Sequence, residues 1–414
     1  MGSLAQPLHP KLKSGIQGRR KLLERIRAIP AFQKGGTLWF HVASAGELEQ
    51  ALPIMDEIRK RYPDQPQLLT YFSPSAVGAV ENERKRRQTP LPWDYADYSP
   101  LDFPSRVREF VDAVNPKAFI SIHREVWPNL IAELDSRKVP LFLCAAQISA
   151  ASRRQFRWVK PWYEKFKWIG TVDQSSSDFL SAKLKGFDPQ CLKKIGDPRV
   201  NRVVSRRQNS ESKDWERYFT HQTVLVCGSI WPRDFEALKP ALLELDRRIP
   251  NFRVVLVPHE PSPKFVAALL RWMVENLGHR SHLWSQWKGE EGHLVVDGVG
   301  WLAELYRVAT LAFVGGSFQK RVHNILEPLA YTIPTLTGPL IKNSAEALEL
   351  QSRHGIAVCE DPQSLKSNLL KLISDEPFAQ QLQQESIAFL VESEEAAERY
   401  ADLICHEIDP SPQQ

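Results

Sequence analysis

The 414-residue chain has no run of about 18 apolar residues, so no segment is built to cross a membrane as a helix. No secretory signal stands at its start. The opening MGSLAQPLHP is expected to replace a longer native segment, an N-terminal anchor, and with Gln6 it makes no myristoylation pattern. Cysteine is scarce. The five present, Cys144, Cys191, Cys227, Cys359 and Cys405, are odd in number and far apart, with no CxxC. This argues against a disulfide framework or a zinc site and fits a reducing cytoplasm. Cys144 and Cys227 lie in apolar runs and read as core. Metal patterns are missing too, with no HExxH and no DxD at a strand end. Charge is nearly balanced: 54 basic against 49 acidic residues give +5. That is too mild to imply nucleic acid, and the basic residues form no aromatic-interleaved groove. No short-period repeat or low-complexity tract occurs.

What is present is an ordinary globular composition, 43% apolar and 25% charged, long enough for two or three domains. Residues 10–30, PKLKSGIQGRRKLLERIRAIP, interleave basic residues with Leu12, Ile16, Leu22, Leu23 and Ile26 at helical spacing. Such a segment either rests on anionic lipid or docks on its own domain with a solvated basic face. Apolar runs then read as strands at 37–44, 67–73, 118–123, 140–146 and 168–173, with helical periodicity between them. This alternation predicts βαβ units and a parallel sheet. A polar stretch after residue 200, NRVVSRRQNSESKDWERYFTHQ, reads as a linker. The alternation restarts in TVLVCGS, RVVLVPH, HLVVDGV, LAFVGGS, IPTLTG and GIAVCE. The fold class is therefore α/β, with Rossmann-like doubly wound domains at 1–203 and 204–379. A helix at about 380–406 packs back on the first, and DPSPQQ is a loose tail. Such tandem domains are expected to face a cleft at the carboxyl ends of their strands, where ligands bind.

Chemistry is expected at those strand ends. In the first domain, LWFHVASAGELEQ places Ser44, Gly46 and Glu47 at a strand-to-helix turn. Glu47 is either a helix-start acid facing the dipole or a catalytic base. Glu125 follows the strand AFISIH. In the second domain, FVGGSFQKRVHNILEP sets Gly316 and Ser317 after a strand, with a helix beginning near His323 and Asn324. Exposed N–H groups there attract phosphate, and Lys320 and Arg321 add positive charge. Glu327 either binds the hydroxyls of a ribose or is the capping-box partner of Asn324. Ser229, Pro258 with His259, and Val299 with Gly300 sit at further strand ends, where a backbone amide can read a nucleobase edge.

Taken in order, these segments resemble the 3-deoxy-D-manno-octulosonic acid (Kdo) transferases, which attach Kdo to a lipid A precursor in Gram-negative bacteria. The ASxGE turn of that family corresponds to Ala43–Glu47, and its WPN segment to Glu125–Asn129. Its FVGGS…HNxLEPxAxxxPxLxGP block corresponds to Phe313–Ser317, His323, Asn324, Leu326–Pro328, Ala330, Pro334, Leu336, Gly338 and Pro339. The resemblance runs from about residue 10 to 400. It implies a GT-B fold, CMP-Kdo as donor, a lipid A precursor as acceptor, inversion at the sugar carbon, no cofactor and no metal. Glu47 would be the general base, with Ser44, Gly46 and Glu125 on the acceptor side. CMP would lie near Ser229, Pro258, His259, Val299, Gly300, Gly316, Ser317, His323, Asn324, Glu327 and Asn343. The enzyme would work at the cytoplasmic face of the inner membrane, with residues 10–30 on the anionic surface. This chain departs from the family at Gln147, where an Arg is usual, and at His123, Arg124, Ile230–Trp231 and Pro258. Arg124, Arg153 and Arg154 are candidate cations for the Kdo carboxylate. A GT-B enzyme with a changed donor or acceptor, and a non-catalytic nucleotide-sugar or lipid-binding scaffold, are the alternatives.

Overall fold

A computed structural model describes residues 10–33, 36–87, 89–209, 212–278 and 280–409. The chain forms two compact units: Met1–Arg202 together with Ser393–Gln414, and Val203–Glu392.

The first unit is a seven-stranded parallel sheet. Its strands are β1 (Thr37–Val42), β2 (Gln67–Tyr71), β3 (Tyr95–Tyr98), β4 (Pro116–Ile122), β5 (Leu141–Ala146), β6 (Trp168–Thr171) and β7 (Leu192–Lys194), in the order β3-β2-β1-β4-β5-β6-β7. Helices cover both faces, so the central strands are buried on both sides and read as unbroken apolar runs. Trp39 is fully buried between Phe110 and Phe119, each ring centroid 5.0 Å away. The strand order reverses between β1 and β4, and a doubly wound sheet opens its ligand crevice at such a reversal. The terminal helix Ala396–Ile408 is part of this unit. The buried Tyr400 hydroxyl accepts from Ala145 N (3.0 Å) and donates to Gly196 O (3.3 Å).

The second unit repeats the plan with β8 (Thr223–Ile230), β9 (Phe252–Pro258), β10 (Ser281–Leu283), β11 (His293–Val295), β12 (Leu311–Val314), β13 (Thr335–Thr337) and β14 (Ala357–Val358). The order is β10-β11-β9-β8-β12-β13-β14, and the reversal falls between β8 and β12.

Several expectations need correction. The stretch after residue 200 does hold the division between the units, at Arg202/Val203, but it also carries regular structure, most of the helix Arg199–Asn209 and a 3-10 turn at Asp214–Phe219. The single C-terminal helix is two, Glu376–Glu394 and Ala396–Ile408. Residues 10–30 are not one amphipathic helix but Pro10–Gly18, Leu22–Arg27 and the start of Pro30–Gln33. Lys21 takes a left-handed conformation (φ 57°) between the first two. Leu22 and Ile26 point into the unit's own core, so that part of the apolar stripe is already used, while Ile16 stays exposed. The proposed DPSPQQ tail lies outside the described residues except for Asp409. Cys144 and Cys227 are buried and unpaired, and among the described residues no helix is long and apolar enough to cross a membrane.

Candidate functional site

In the first unit the loops after β1 and β4 emerge on either side of the strand reversal. Ser44 is extended (φ −138°, ψ 170°) and stops β1; the helix Ala45–Arg61 starts at once, placing Glu47 in its first turn. Gly46 is exposed, while Glu47 is 9% exposed. Its Oε2 accepts from Ala43 N (2.5 Å), so the side chain reaches back over the turn. Burial pushes the Glu47 carboxyl up to about 7, and the nearby Glu125 adds to the rise. The Ala43 N–H, Arg124 and Ser44 act in the opposite direction. Two carboxylates in a desolvated site disfavour double ionisation, which keeps one of them ready to hold a proton near neutrality.

Glu125 is held by two contacts. Its Oε2 accepts from Trp127 Nε1 (3.0 Å), and its backbone carbonyl accepts from the Ser121 hydroxyl. Burial raises its carboxyl too, against the indole N–H and Arg124. Arg124 is exposed and donates to Ser152 Oγ (2.8 Å) and Ser149 Oγ (3.3 Å), at the start of the helix that carries Arg153 and Arg154. His123 is left-handed (φ 66°), and burial lowers its pKa to about 4.

In the second unit the corresponding loops follow β8, β9, β11, β12 and β13. Ser229 is left-handed (φ 53°) within a bulge of β8. Pro258 ends β9, and His259 N donates to Ile230 O (3.0 Å). Gly316 has φ +84°, and a Cβ there would meet Arg321 O and the His323 ring at under 3 Å. Only glycine lets these loops close on one another. The result is an aromatic stack. His259 lies on His323 with centroids 4.0 Å apart, and Trp231 lies on His259 at 5.2 Å. Trp231 Nε1 donates to His323 Nε2 (3.0 Å), and the Lys320 ammonium sits 4.4 Å above the indole. Burial lowers both imidazoles, His323 to about 4.

The sequence-predicted residues divide. Glu47, Ser44, Gly46 and Glu125 gather in the first unit, and Ser229, Pro258, His259, Gly316 and His323 gather around Trp231 in the second. Val299 (79% exposed) and Gly300 (φ +93°) lie on the open loop after β11. Ser317 is not presented to a ligand: it is fully buried, donates to Val314 O (3.1 Å) and accepts from Gly338 N (2.7 Å). The helix expected from His323 begins instead at Leu326 and lasts only to Ala330. Asn324 Oδ1 accepts from Leu326 N (3.1 Å), while its Nδ2 donates to Glu327 Oε1 (3.2 Å), so part of the capping role is real. Asn343 Nδ2 donates to Val322 O (3.0 Å). Sequence reasoning missed Asp234, which is fully buried and accepts from Trp231 N (2.8 Å), Gly316 N (2.7 Å) and Phe318 N (2.9 Å). A buried carboxylate on three backbone donors fixes the glycine loop from beneath. Its only local signal was an acid four residues beyond a strand end, in the first turn of the helix Pro232–Arg248. Among the described residues, no group of three His, Cys, Asp or Glu is arranged to hold a metal ion.

Residues 20–200 match the family described as 3-Deoxy-D-manno-octulosonic-acid transferase (kdotransferase). The 3-deoxy-D-manno-octulosonic acid transferase of Chlamydophila psittaci is 29% identical over 354 residues, 82% of this chain and 77% of the relative. That of Haemophilus influenzae is 26% identical over 379 residues, covering 89% and 86%. A crystal structure of a putative UDP-N-acetylglucosamine 2-epimerase from Listeria monocytogenes superposes with TM-score 0.65 at 12% identity, covering 91% of this chain and 98% of that one. At that identity the likeness is one of fold, and the fold is GT-B. The two relatives span both units, and over most of its length the chain is similar to 3-deoxy-D-manno-octulosonic acid transferases.

Proposed function

We propose that the protein transfers Kdo from CMP-Kdo to a lipid A precursor, with inversion at the sugar carbon and Glu47 as general base. The observation that carries this reading is the Glu47 carboxyl, buried beside Glu125 at the strand reversal and poised at about 7. A base must accept a proton near the working pH, and an ordinary surface carboxylate is too acidic to do so well. In the step proposed, an acceptor hydroxyl oxygen attacks the anomeric carbon of Kdo. Its proton passes to Glu47, the bond from that carbon to the phosphate oxygen breaks, and CMP leaves with the electron pair. No metal or cofactor is called on. Ser44 and Gly46 shape the turn, and Glu125 keeps the site desolvated and acidic enough to raise its partner.

The donor is assigned to the loops of the second unit. The base lies towards Val299 and Gly300, the ribose on Glu327, and the phosphate beside His259 and His323. Pro258, Ser229, Gly316, Asn324 and Asn343 fix those loops; Ser317 is a buried staple rather than a contact. The lipid acceptor implies work at the cytoplasmic face of the inner membrane, with the basic surface of residues 10–30 on anionic headgroups.

The test is product formation. Purified protein with CMP-Kdo and a lipid A precursor should release CMP and yield Kdo-lipid, and Glu47→Ala should lower kcat by about 10²–10⁴-fold. A thermal shift larger with UDP than with CMP, or CMP binding without turnover, would reject the assignment in favour of a changed donor or a scaffold.

A further inference from the structure

The donor site proposed above raises a question of charge. A nucleotide phosphate is anionic, and the groups first expected to receive it are engaged elsewhere. The N–H groups of Gly316 and Phe318 donate to the Asp234 carboxylate at 2.7 and 2.9 Å. The Ser317 hydroxyl is buried between Val314 O and Gly338 N. The helix after Asn324 is five residues long, and the Asn324 side chain already caps Leu326 N. The two imidazoles carry no charge to offer. His323 Nε2 accepts the indole N–H of Trp231, so it holds a lone pair and no proton. Burial and Arg321 work against a charge on either ring, joined by Lys320 at His259 and by His259 at His323; only Glu260 opposes this, at His259.

Those cations are Lys320 and Arg321, both exposed. The Lys320 ammonium is seated over the Trp231 ring at 4.4 Å, at the outer end of the Trp231–His259–His323 stack. Arg321 is close enough to act electrostatically on both imidazoles. Arg321 N also donates to Gly316 O (2.9 Å), which anchors the turn that presents both side chains.

Resting on that reading of the second unit, we propose that Lys320 and Arg321 are the charge-recognising residues of the donor site, and that they bind the nucleotide phosphate at the edge of the neutral Trp231–His259–His323 stack. The stack supplies a flat aromatic wall, half-buried at Trp231 and His323 and open at His259. The two side chains supply the positive charge. Separating shape from charge in this way leaves phosphate binding independent of histidine protonation.

The experiment is calorimetric titration of the full chain with CMP and, separately, with cytidine. Wild type should bind CMP more tightly than cytidine; if it binds neither, the donor reading itself fails. In the double variant Lys320→Ala/Arg321→Ala, CMP affinity should fall at least about tenfold, since a hydrogen bond to a charged group contributes roughly that much or more. Cytidine affinity should change less than about twofold, and Lys320→Arg should retain most of the CMP affinity. Both residues are exposed, so the melting temperature serves as the folding control. The inference is overturned if the double variant binds CMP as wild type does. It is also overturned if CMP and cytidine weaken together, which would mean a general loss of the site. A third overturning result is intact CMP affinity with a raised KM for CMP-Kdo, which would assign the cations to the sugar carboxylate.

Discussion

Glu47 meets two opposed demands. As a base it must be reachable and ionised during attack; as a buried group it resists ionisation. Its carboxyl rises from an ordinary 4.5 to about 7, so kcat/KM should climb with pH and level off above about 7, and a pH-rate profile reads this directly. A profile flat from pH 5 to 8 would remove Glu47 from the chemistry. The same shift has a consequence for stability. Between pH 4.5 and 7 the folded chain keeps a proton that the unfolded chain has released, so stability is full below that window and falls as pH rises through it. The loss is up to about 3 kcal/mol. Glu47→Gln keeps an oxygen for Ala43 N and never ionises. It should therefore melt higher than wild type at pH 8, with a smaller gap at pH 5, while losing turnover. The position of Glu47 was legible because a strand, a small-residue turn and a helix are local patterns. Its environment was not, because Glu125 lies 78 positions further on in the numbering of the same unit. Asp234 was hidden for the same reason: its bonds to Gly316 and Phe318 span 82 and 84 residues.

Elements near the sites are held by residues from other elements. The helix Pro128–Ser136 follows directly on Glu125–Trp127, and its N-cap Trp127 offers no capping side chain. Asp102, from the loop after β3, does that work at a distance. Its Oδ1 accepts from Leu130 N (2.9 Å), and its Oδ2 from Asn129 N (3.1 Å). Asp102→Ala should lower stability by roughly 0.5–2 kcal/mol, as loss of an ordinary cap does, which a denaturant titration would measure. Asp234 carries more. Asp234→Asn leaves buried N–H groups of the glycine loop short of an acceptor, at about 1–3 kcal/mol for an unmade bond. It should lower the melting temperature and weaken CMP binding together, whereas loss of Lys320 and Arg321 affects binding alone. The distant role of neither acid could be read from spacing: Asp102 looks like any loop Asp, and Asp234 looks like an ordinary first-turn acid of its own helix. Most strands were legible, because central parallel strands are continuous apolar runs. The three missed, β3, β7 and β10, are each at the edge of a sheet and three or four residues long. Tyr-Ala-Asp-Tyr, Leu-Lys-Lys and Ser-His-Leu carry polar groups that an edge tolerates and that suit its protection from unwanted pairing.

At the scale of the whole molecule the two units share one logic, a parallel sheet whose order reverses beside its functional loops. Repetition of the βαβ pattern made this visible in the sequence. The basic N-terminal segment was harder to read, because spacing cannot say which side of a helix meets protein. Leu22 and Ile26 enter the core. Arg19 turns inward as well: it donates to Ser99 O (2.8 Å) and Phe72 O (3.0 Å) and lies 4.7 Å above the Tyr98 ring. Arg25 pairs with Asp97 (2.7 Å). The exposed remainder includes Lys13, Arg20, Lys21 and Arg27, with Ile16 at 46% exposure. A membrane contact through this face must then be chiefly electrostatic, since little apolar surface is left to insert. Lysine and arginine near an anionic surface contribute about 1 kcal/mol each, and the attraction shortens from a range of about 10 Å at 0.1 M salt to about 3 Å at 1 M. The chain should therefore sediment with vesicles containing anionic lipid at low salt and release from them at 1 M salt. Lys13→Ala/Arg20→Ala should weaken that binding by about tenfold or more. Equal binding to purely zwitterionic vesicles, or binding that the double variant leaves untouched, would place the membrane contact on another surface.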